Sequence, residues 1–187
     1  MPALVLPTRQ VADSFRAAMA EFAAERRGSA SDHSMVGQEI RTFGPTWGED
    51  TGFAAYVAAL RAQAGQDANR PADLVPCTSW WWVEGTEYLG RIALRHRLTE
   101  RLLQTGGHIG YDVRPSARRR GHATAMLAAV LPEAAARGID RALVTCEASN
   151  AGSRRVIEHN GGVLEDQRGG LLRYWVPTSA MRTAAGG

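Results

Sequence analysis

The run Arg118-Arg119-Arg120-Gly121-His122-Ala123, preceded by Arg114-Pro115-Ser116-Ala117, is the part of the chain whose residue types and spacing best suit chemistry. A strand pattern, His108 to Val113, leads into it. An Ala- and Leu-rich helix pattern, Thr124 to Arg137, leads out and stops at Gly138. A helix N-terminus presents unpaired N–H groups and the positive end of its dipole, so it attracts phosphate. Gly121 lets the backbone approach an anion closely, Ala123 keeps the first turn small, and the arginines add charge that a pyrophosphate can use. Each charge–dipole contact is worth roughly 0.3–1 kcal/mol, so several donors must act together. On these residues alone a solvated capping turn competes with a phosphate site. Other phosphate loops are excluded: there is no G-x-x-x-x-G-K-S/T, and no G-x-G-x-x-G follows a strand.

The elements that must position this run can be read around it. The 187 residues suit one domain, with 44% hydrophobic and 22% charged residues as in an ordinary globular protein. Val11, Phe15, Met19 and Phe22 share a face of a first helix over Thr8 to Arg26. Phe53, Tyr56, Val57 and Leu60 do the same for a second. Gly28 to Gly48 reads as a loop, and Ala64 to Pro76 as a breaker-rich connection. Thr78 to Val83 and Tyr88 to Arg95 are strands joined by a turn at Glu84-Gly85-Thr86-Glu87. The triple Trp80-Trp81-Trp82 puts an indole on each face of its strand, as core or as the wall of a substrate slot. Leu98 to Leu103 suits a short helical turn, Arg141 to Cys146 a strand, and Ala151 to His159 a helix stopped by Gly161-Gly162. Val163 to Asp166 and Leu171 to Val176 suit a closing hairpin, and Ser179 to Gly187 a flexible tail. Residues 1–178 then form one α/β (α+β) domain around a mixed sheet.

Composition narrows the chemistry. All 22 basic residues are arginine, which excludes a lysine nucleophile, Schiff-base chemistry and a P-loop lysine. Cys77 and Cys146 lie far apart, and the five histidines show no zinc spacing, so no metal is expected. A net charge of +3 without a long basic face argues against nucleic acid as a partner. No apolar stretch is long enough to span a bilayer, and the start lacks the features of a secretory signal. A cytoplasmic protein with no membrane partner is the expectation.

The central run resembles the signature of the GNAT superfamily of N-acetyltransferases: a Gln or Arg, two free positions, a Gly, one free position, and a Gly or Ala. Arg118, Gly121 and Ala123 hold the fixed positions. A second match follows, with a strand over Leu143 to Cys146, then Asn150, then a helix carrying Ser153 and ending at Gly161. The resemblance covers Trp80 to Val176 and implies the GNAT fold, a mostly antiparallel mixed sheet whose central parallel strands splay apart between flanking helices. It implies acetyl-CoA as cosubstrate, held by Val113, Arg118, Arg119, Arg120, Gly121, His122, Ala123, Thr124, Asn150 and Ser153. The pantetheine arm would lie between strands 108–113 and 141–146 like an added strand. A bulge near Tyr111-Asp112 would aim a backbone N–H at the thioester carbonyl as an oxyanion donor. Family members often carry a tyrosine late in the last helix that protonates the departing thiolate. Ile157 stands there, so Ser153, or alternatively His159, becomes the candidate acid.

The acceptor must lose a proton. An alkylamine of pKa near 10.4 costs about 4.6 kcal/mol to deprotonate at pH 7, so a general base is expected. Glu147, just beyond one wall of the splay, is the first candidate, and Asp112, on the facing strand, the second. Glu84, Glu87 and His96 are weaker ones. Ser31 to Asp50, with His33, Gln38, Glu39, Trp47, Glu49 and Asp50, would roof the acceptor pocket. The resemblance implies transfer to the primary amine of a small molecule, with an amine-bearing antibiotic of the capreomycin type leading. A protein, peptide or polyamine acceptor is the alternative, and a non-catalytic acetyl-CoA sensor the competing class. Small enzymes of this family often form homodimers.

Overall fold

The computed structural model describes residues 1–65 and 74–179. The middle of the connection read at Ala64 to Pro76, and the tail beyond Ser179, lie outside the described residues. Helix α1 (Ala12–Ala24) buries Phe15, Ala18, Met19 and Phe22, following a short 3-10 turn at Arg9–Val11. Helix α2 (Met35–Phe43) is capped by the Ser34 hydroxyl, which accepts from Gly37 N–H at 3.1 Å. Helix α3 (Asp50–Ala62) buries the four residues whose spacing defined it: Phe53, Tyr56, Val57 and Leu60. The segment read as loop therefore contains a helix. Its Gly37 and the polar residues around it masked a local cap.

The sheet has seven strands: β1 (Ala3–Val5), β2 (Cys77–Glu84), β3 (Glu87–Arg95), β4 (Ile109–Val113), β5 (Arg141–Glu147), β6 (Val163–Arg168) and β7 (Leu171–Pro177). Their order is β1-β2-β3-β4-β5-β7-β6, with β4 and β5 parallel and every other neighbouring pair antiparallel. Helix α4 (Glu100–Gln104) precedes β4, α5 (His122–Ala135) joins β4 to β5, and α6 (Ala151–His159) follows β5.

Alternation along β2 divides the core. Trp80 and Trp82 point into the cluster beneath α5 and α6, whereas Trp81 points into the cluster with α1, α2 and α3. All three indoles are buried core, not the wall of a slot. Phe15 is the hub of the second cluster, with its ring centroid 5.0 Å from Trp47 and Trp81 and 5.1 Å from Tyr88. Such pairs are each worth about 0.5–1.5 kcal/mol beyond their buried area.

Beyond a single register pair, Ile109↔Val144, strands β4 and β5 part. Two bonds close the root of the gap. His108 N–H donates to Leu143 O at 2.7 Å, and Leu143 N–H donates to His108 Nδ1 at 2.9 Å. The turn before His108 must run very close to β5: a Cβ on Gly107 (φ +60°) would sit 2.3 Å from Leu143 O.

Candidate active site

The strands set the phase of the gap. Arg95 N–H donates to His108 O at 2.8 Å and Arg114 N–H to Leu89 O at 3.0 Å, so even-numbered residues of β4 bond to β3. By the alternation of antiparallel ladders, the amides of Tyr111 and Val113 then face β5 across the opening. The expected bulge at Tyr111-Asp112 is not there. The β3–β4 register runs without a shift from Gly90↔Val113 to Leu94↔Ile109. The shift lies one strand away, between Trp82 and Val83 of β2, where Leu89 of β3 is the extra residue. A regular strand already aims the Tyr111 N–H into the gap, so no bulge is required for that purpose.

The arginine loop follows. Arg119 (φ +60°) and Gly121 (φ +82°) both adopt left-handed backbone on either side of Arg120. Gly121 precedes α5 and offers no side chain to cap it. Successive N–H groups in such a turn converge into an anion-binding concavity in front of the helix dipole. A cavity of about 720 Å³ opens there, lined by Val113, Arg118, Arg119, Gly121, His122, Ala123, Thr124, Asn150 and Ser153. The structure thus brings together these nine predicted donor-site residues. The tenth, Arg120, is exposed and does not line the cavity.

Two of the nine carry contacts that the motif does not reveal. Both guanidinium nitrogens Nη1 and Nη2 of Arg118 donate to Glu25 at 2.8 Å, and its Nε donates to Val113 O at 3.2 Å. Four residues earlier, Arg114 donates to Glu21, which also accepts from Ser116 N–H at 2.9 Å. Burial alone would raise the pKa of Glu21, but Arg114 and Ser116 overturn that and hold it below the usual carboxylate value. Arg118 is therefore a strut between α1 and the loop. His122 Nδ1 accepts from Trp82 Nε1 at 3.2 Å, while its Nε2 is buried with no partner among the described residues. Convergent amides, an uncapped helix and an orphaned ring nitrogen suit a ligand bearing phosphates and amides, as acetyl-CoA does.

A second cavity, of about 470 Å³, lies along the gap and under the segment between α1 and α2. The two cavities share Arg27, Tyr111, Asp112, Asn150 and Ser153, so they meet at the opened strands. All four predicted catalytic residues, Glu147, Asp112, Ser153 and Tyr111, line the second one. The Tyr111 hydroxyl lies 2.7 Å from Ser153 Oγ, and burial pushes the phenol up to about 12. Asn150 Oδ1 caps α6 by accepting from Ser153 N–H at 3.0 Å, which fixes Ser153 at the mouth of the gap. Ile157 is fully buried in the core.

The carboxylates differ in their commitments. Asp112 Oδ2 accepts from Arg91 Nε at 3.4 Å, and Arg91 also pairs with Glu39 of α2. Burial disfavours the Arg91 charge, but Glu39 and Asp112 more than restore it. Tyr56 donates to Glu39 at 2.6 Å, so this buried set docks α2 on the sheet. Asp32 accepts from Gly28 N–H at 2.9 Å and Ser34 N–H at 3.0 Å. Burial would raise its pKa, but these bonds and Arg27 bring it to about 2. The Glu147 side chain is exposed, and its carboxylate has no ion pair or hydrogen bond among the described residues, although its backbone carbonyl accepts from Asn150 N–H at 2.9 Å.

Several sequence candidates stand elsewhere. Trp47 is core, Glu39 is bound to Arg91 and Asp50 pairs with Arg16. Of the six side chains named for the roof only His33 lines the second cavity, although Ser31 to Met35 of the same segment do cover it. His96 bonds the Thr78 hydroxyl at 2.8 Å, and Glu84 and Glu87 are exposed at the hairpin. His159 lines a separate hollow between α5 and α6. Sequence reasoning missed Arg27, Met35 and Arg95. For the first, the sequence carries only Gly28 just after it, the glycine that ends α1's turn with φ +87°.

A family model for the acetyltransferase (GNAT) domain matches residues 16–163. The chain belongs to the GNAT acetyltransferase domain family. It is an acetyl-CoA-dependent N-acetyltransferase, and the seven-stranded mixed sheet with its parted central strands is the GNAT fold. No curated protein matches the chain in sequence. Among solved structures, RimJ of Mycobacterium smegmatis in complex with CoA-disulfide has a TM-score of 0.63 at 19% identity, over 94% of this chain and 81% of that one. The microcin C7 self-immunity acetyltransferase MccE, in complex with acetyl-CoA and AMP, has a TM-score of 0.62 at 12% identity, over 94% and 92%. The PaiA N-acetyltransferase of Thermoplasma acidophilum, in complex with coenzyme A, has a TM-score of 0.58 at 10% identity, over 95% and 99%. These GNAT neighbours share the fold with this chain; their acceptors are their own. Among the described residues, no helix is long and apolar enough to cross a membrane.

Proposed function

We propose that this GNAT enzyme transfers acetyl directly to the primary amine of a small molecule bound between β4, β5 and the segment before α2. The observation that carries the reading is the meeting of the two cavities at Tyr111, Asp112, Asn150 and Ser153. The donor, acetyl-CoA, supplies the activated acetyl group. The loop amides from Arg119 to Thr124 hold its pyrophosphate, and the amides of Val113 and Tyr111 hold its arm and thioester oxygen. Arg118 acts through its pairing with Glu25, which fixes the loop.

Glu147 is the carboxylate left free to take the amine proton, directly or through water. Asp112, held by Arg91, orients the acceptor. The Ser153 and Tyr111 hydroxyls, 2.7 Å apart, hold the proton that the leaving sulfur takes, in place of the tyrosine absent at Ile157. An ammonium acceptor first loses one proton to solvent by way of Glu147. The N–C bond then forms as the C–S bond breaks, the amine's next proton passes to Glu147 and the hydroxyl's to sulfur, and the proton on Glu147 returns through solvent to restore the hydroxyl.

The acceptor class carried by the sequence resemblance is an amine-bearing antibiotic. A protein or peptide amino terminus is the second reading, favoured by a likeness at 16% identity to RimL, described as a ribosomal L7/L12 α-N-protein acetyltransferase. Release of free CoA thiol, measured against small amines, cyclic-peptide antibiotics and peptides with free amino termini, tests both. Turnover confined to peptides would transfer the assignment to the second reading. No turnover with any amine, despite acetyl-CoA binding, would leave a sensor.

A further inference from the structure

The acceptor-side cavity contains a cation, Arg95, for which the described residues supply no counterion. Arg95 ends β3 on the same face as Arg91 and Asp112, and it is only half-buried. Its Nη1 donates to Gly106 O and Gly107 O, both at 3.1 Å, and its Nη2 lies 3.4 Å from Met35 Sδ. No carboxylate pairs with it among the described residues. Burial and the nearby arginines Arg101 and Arg91 press its pKa below the ordinary arginine value, the signature of a charge without compensation. A guanidinium is nonetheless charged at any working pH, and desolvating it without a partner is unfavourable.

The other charges lining this cavity are already matched. Asp112 pairs with Arg91, and Asp32 is held by two backbone amides and by Arg27 at 3.4 Å. Among the described residues that leaves one unpaired carboxylate, Glu147, and one guanidinium without a carboxylate partner, Arg95, both on the wall of a single cavity. Register places them apart: Arg95 is level with His108 at the root of the gap, and Glu147 stands three residues past Val144 at its mouth. Because His108 is paired with Leu143, Glu147 lies four residues along β5 from the level of Arg95, about 13 Å along the strands. Met35 packs over Arg95 and over Gly110, so the guanidinium is covered by a flexible side chain able to yield to a ligand.

We infer that the acceptor carries an anionic group, a carboxylate or a phosphate, at a distance from its reacting amine, and that Arg95 binds it while Glu147 faces the amine. This rests on the amine-transfer reading and narrows it. A polycationic cyclic peptide would meet Arg95 as a like charge, whereas an amine with a remote acid matches both free groups. Arg95 is then a specificity-determining residue. Its two bonds to backbone carbonyls hold the planar fork in place for a bidentate partner.

The test uses matched acceptor pairs: ω-amino carboxylates against their primary amides, and aminoalkyl phosphates against the corresponding alcohols, each over a range of chain lengths. CoA thiol release gives kcat/KM for each member. Calorimetric titration of the same compounds into enzyme saturated with CoA gives binding without turnover. The expected result is at least a tenfold preference for the anionic member, by both readouts, in the carboxylate or the phosphate series. In Arg95→Gln that ratio falls to threefold or less. In Arg95→Lys, which keeps charge and lacks the fork, it is intermediate, and this variant serves if Arg95→Gln fails to fold. A ratio near one in the wild-type protein, or one unchanged in both variants, overturns the inference while leaving acetyl transfer intact. A preserved binding ratio with no thiol release from any amine would instead overturn acetyl transfer and keep the anion subsite.

Discussion

The two cavities that meet at the parted strands are built from different materials. The cavity proposed for the donor is mainly backbone: the amides of Tyr111 and Val113, the left-handed residues Arg119 and Gly121, and the uncapped start of α5. The cavity proposed for the acceptor is mainly side chain, drawn from the segment before α2, the end of β3 and the end of β5. Backbone geometry tolerates few sequences and leaves a motif. A wall of separate side chains leaves none, and it can change one residue at a time while the donor site stays constant. One fold can therefore keep one donor and serve many acceptors.

The sharpest way to separate the two sides is Glu147→Gln, because Glu147 lines only the acceptor cavity. At neutral pH kcat/KM for the amine should fall roughly 10²–10⁴-fold. The deficit should shrink as pH approaches the amine's own pKa, while calorimetric affinity for acetyl-CoA stays put. Equal loss at every pH would show that Glu147 is not the base. Arg91→Met comes next. It strips the partner from Glu39 and Asp112, and removing one member of a buried charge set typically costs about 3–5 kcal/mol. Because Glu39 lies on α2, hydrogen exchange should rise in α2 before it rises in α5. Simultaneous loosening of both helices would break the distinction between the two sides.

Gly121→Val works on the donor side alone. A Cβ there meets no atom within 4 Å, so space is not limiting, but at φ +82° a β-branched residue is strained by about 1–3 kcal/mol. Acetyl-CoA affinity should drop by a factor of ten or more, with circular dichroism unchanged. Unaltered affinity would displace the donor from this loop. The smallest effect is a pH dependence at the root of the gap. Burial lowers the His108 pKa to about 4 from an ordinary value near 6.5, so protonation opposes the folded form. The stability it supports is fully present above about pH 6.5 and is lost as pH falls through about 4. Proton uptake also removes the lone pair that Leu143 N–H uses. His108→Gln should flatten this part of the acid-unfolding curve, and an identical curve would exclude His108 as its source.

Much of the sheet was legible because alternation and glycine-bounded turns are local. β2, β3, β5, α3 and α6 fall within a residue or a few of their expected spans. α2 was not legible. Its hydrophobic face is short, and its anchor, Arg91–Glu39, joins residues 52 positions apart, across strands whose register no local pattern gives. β1 was missed because three residues make no pattern; it exists only by pairing with Trp81, Trp82 and Val83. The backbone of the loop from Arg118 to Ala123 could be read from spacing, since φ at Gly121 and the helix start are backbone demands. Arg95 could not, because an arginine ending a strand is ordinary until the surrounding carboxylates are seen to be elsewhere.

The struts from α1 to the donor loop have a consequence for exchanging parts between enzymes of this fold. Glu21 and Glu25 stand one helical turn apart and meet Arg114 and Arg118, which are also four residues apart. The helix thereby acts as a ruler laid against the loop. Deleting or adding one residue in α1 would rotate its end by about 100° and carry both acids off their arginines together. A chimera that imports a new acceptor-side helix pair must therefore import this four-residue spacing with it, or the graft will arrive with the right pocket and a loop out of tune.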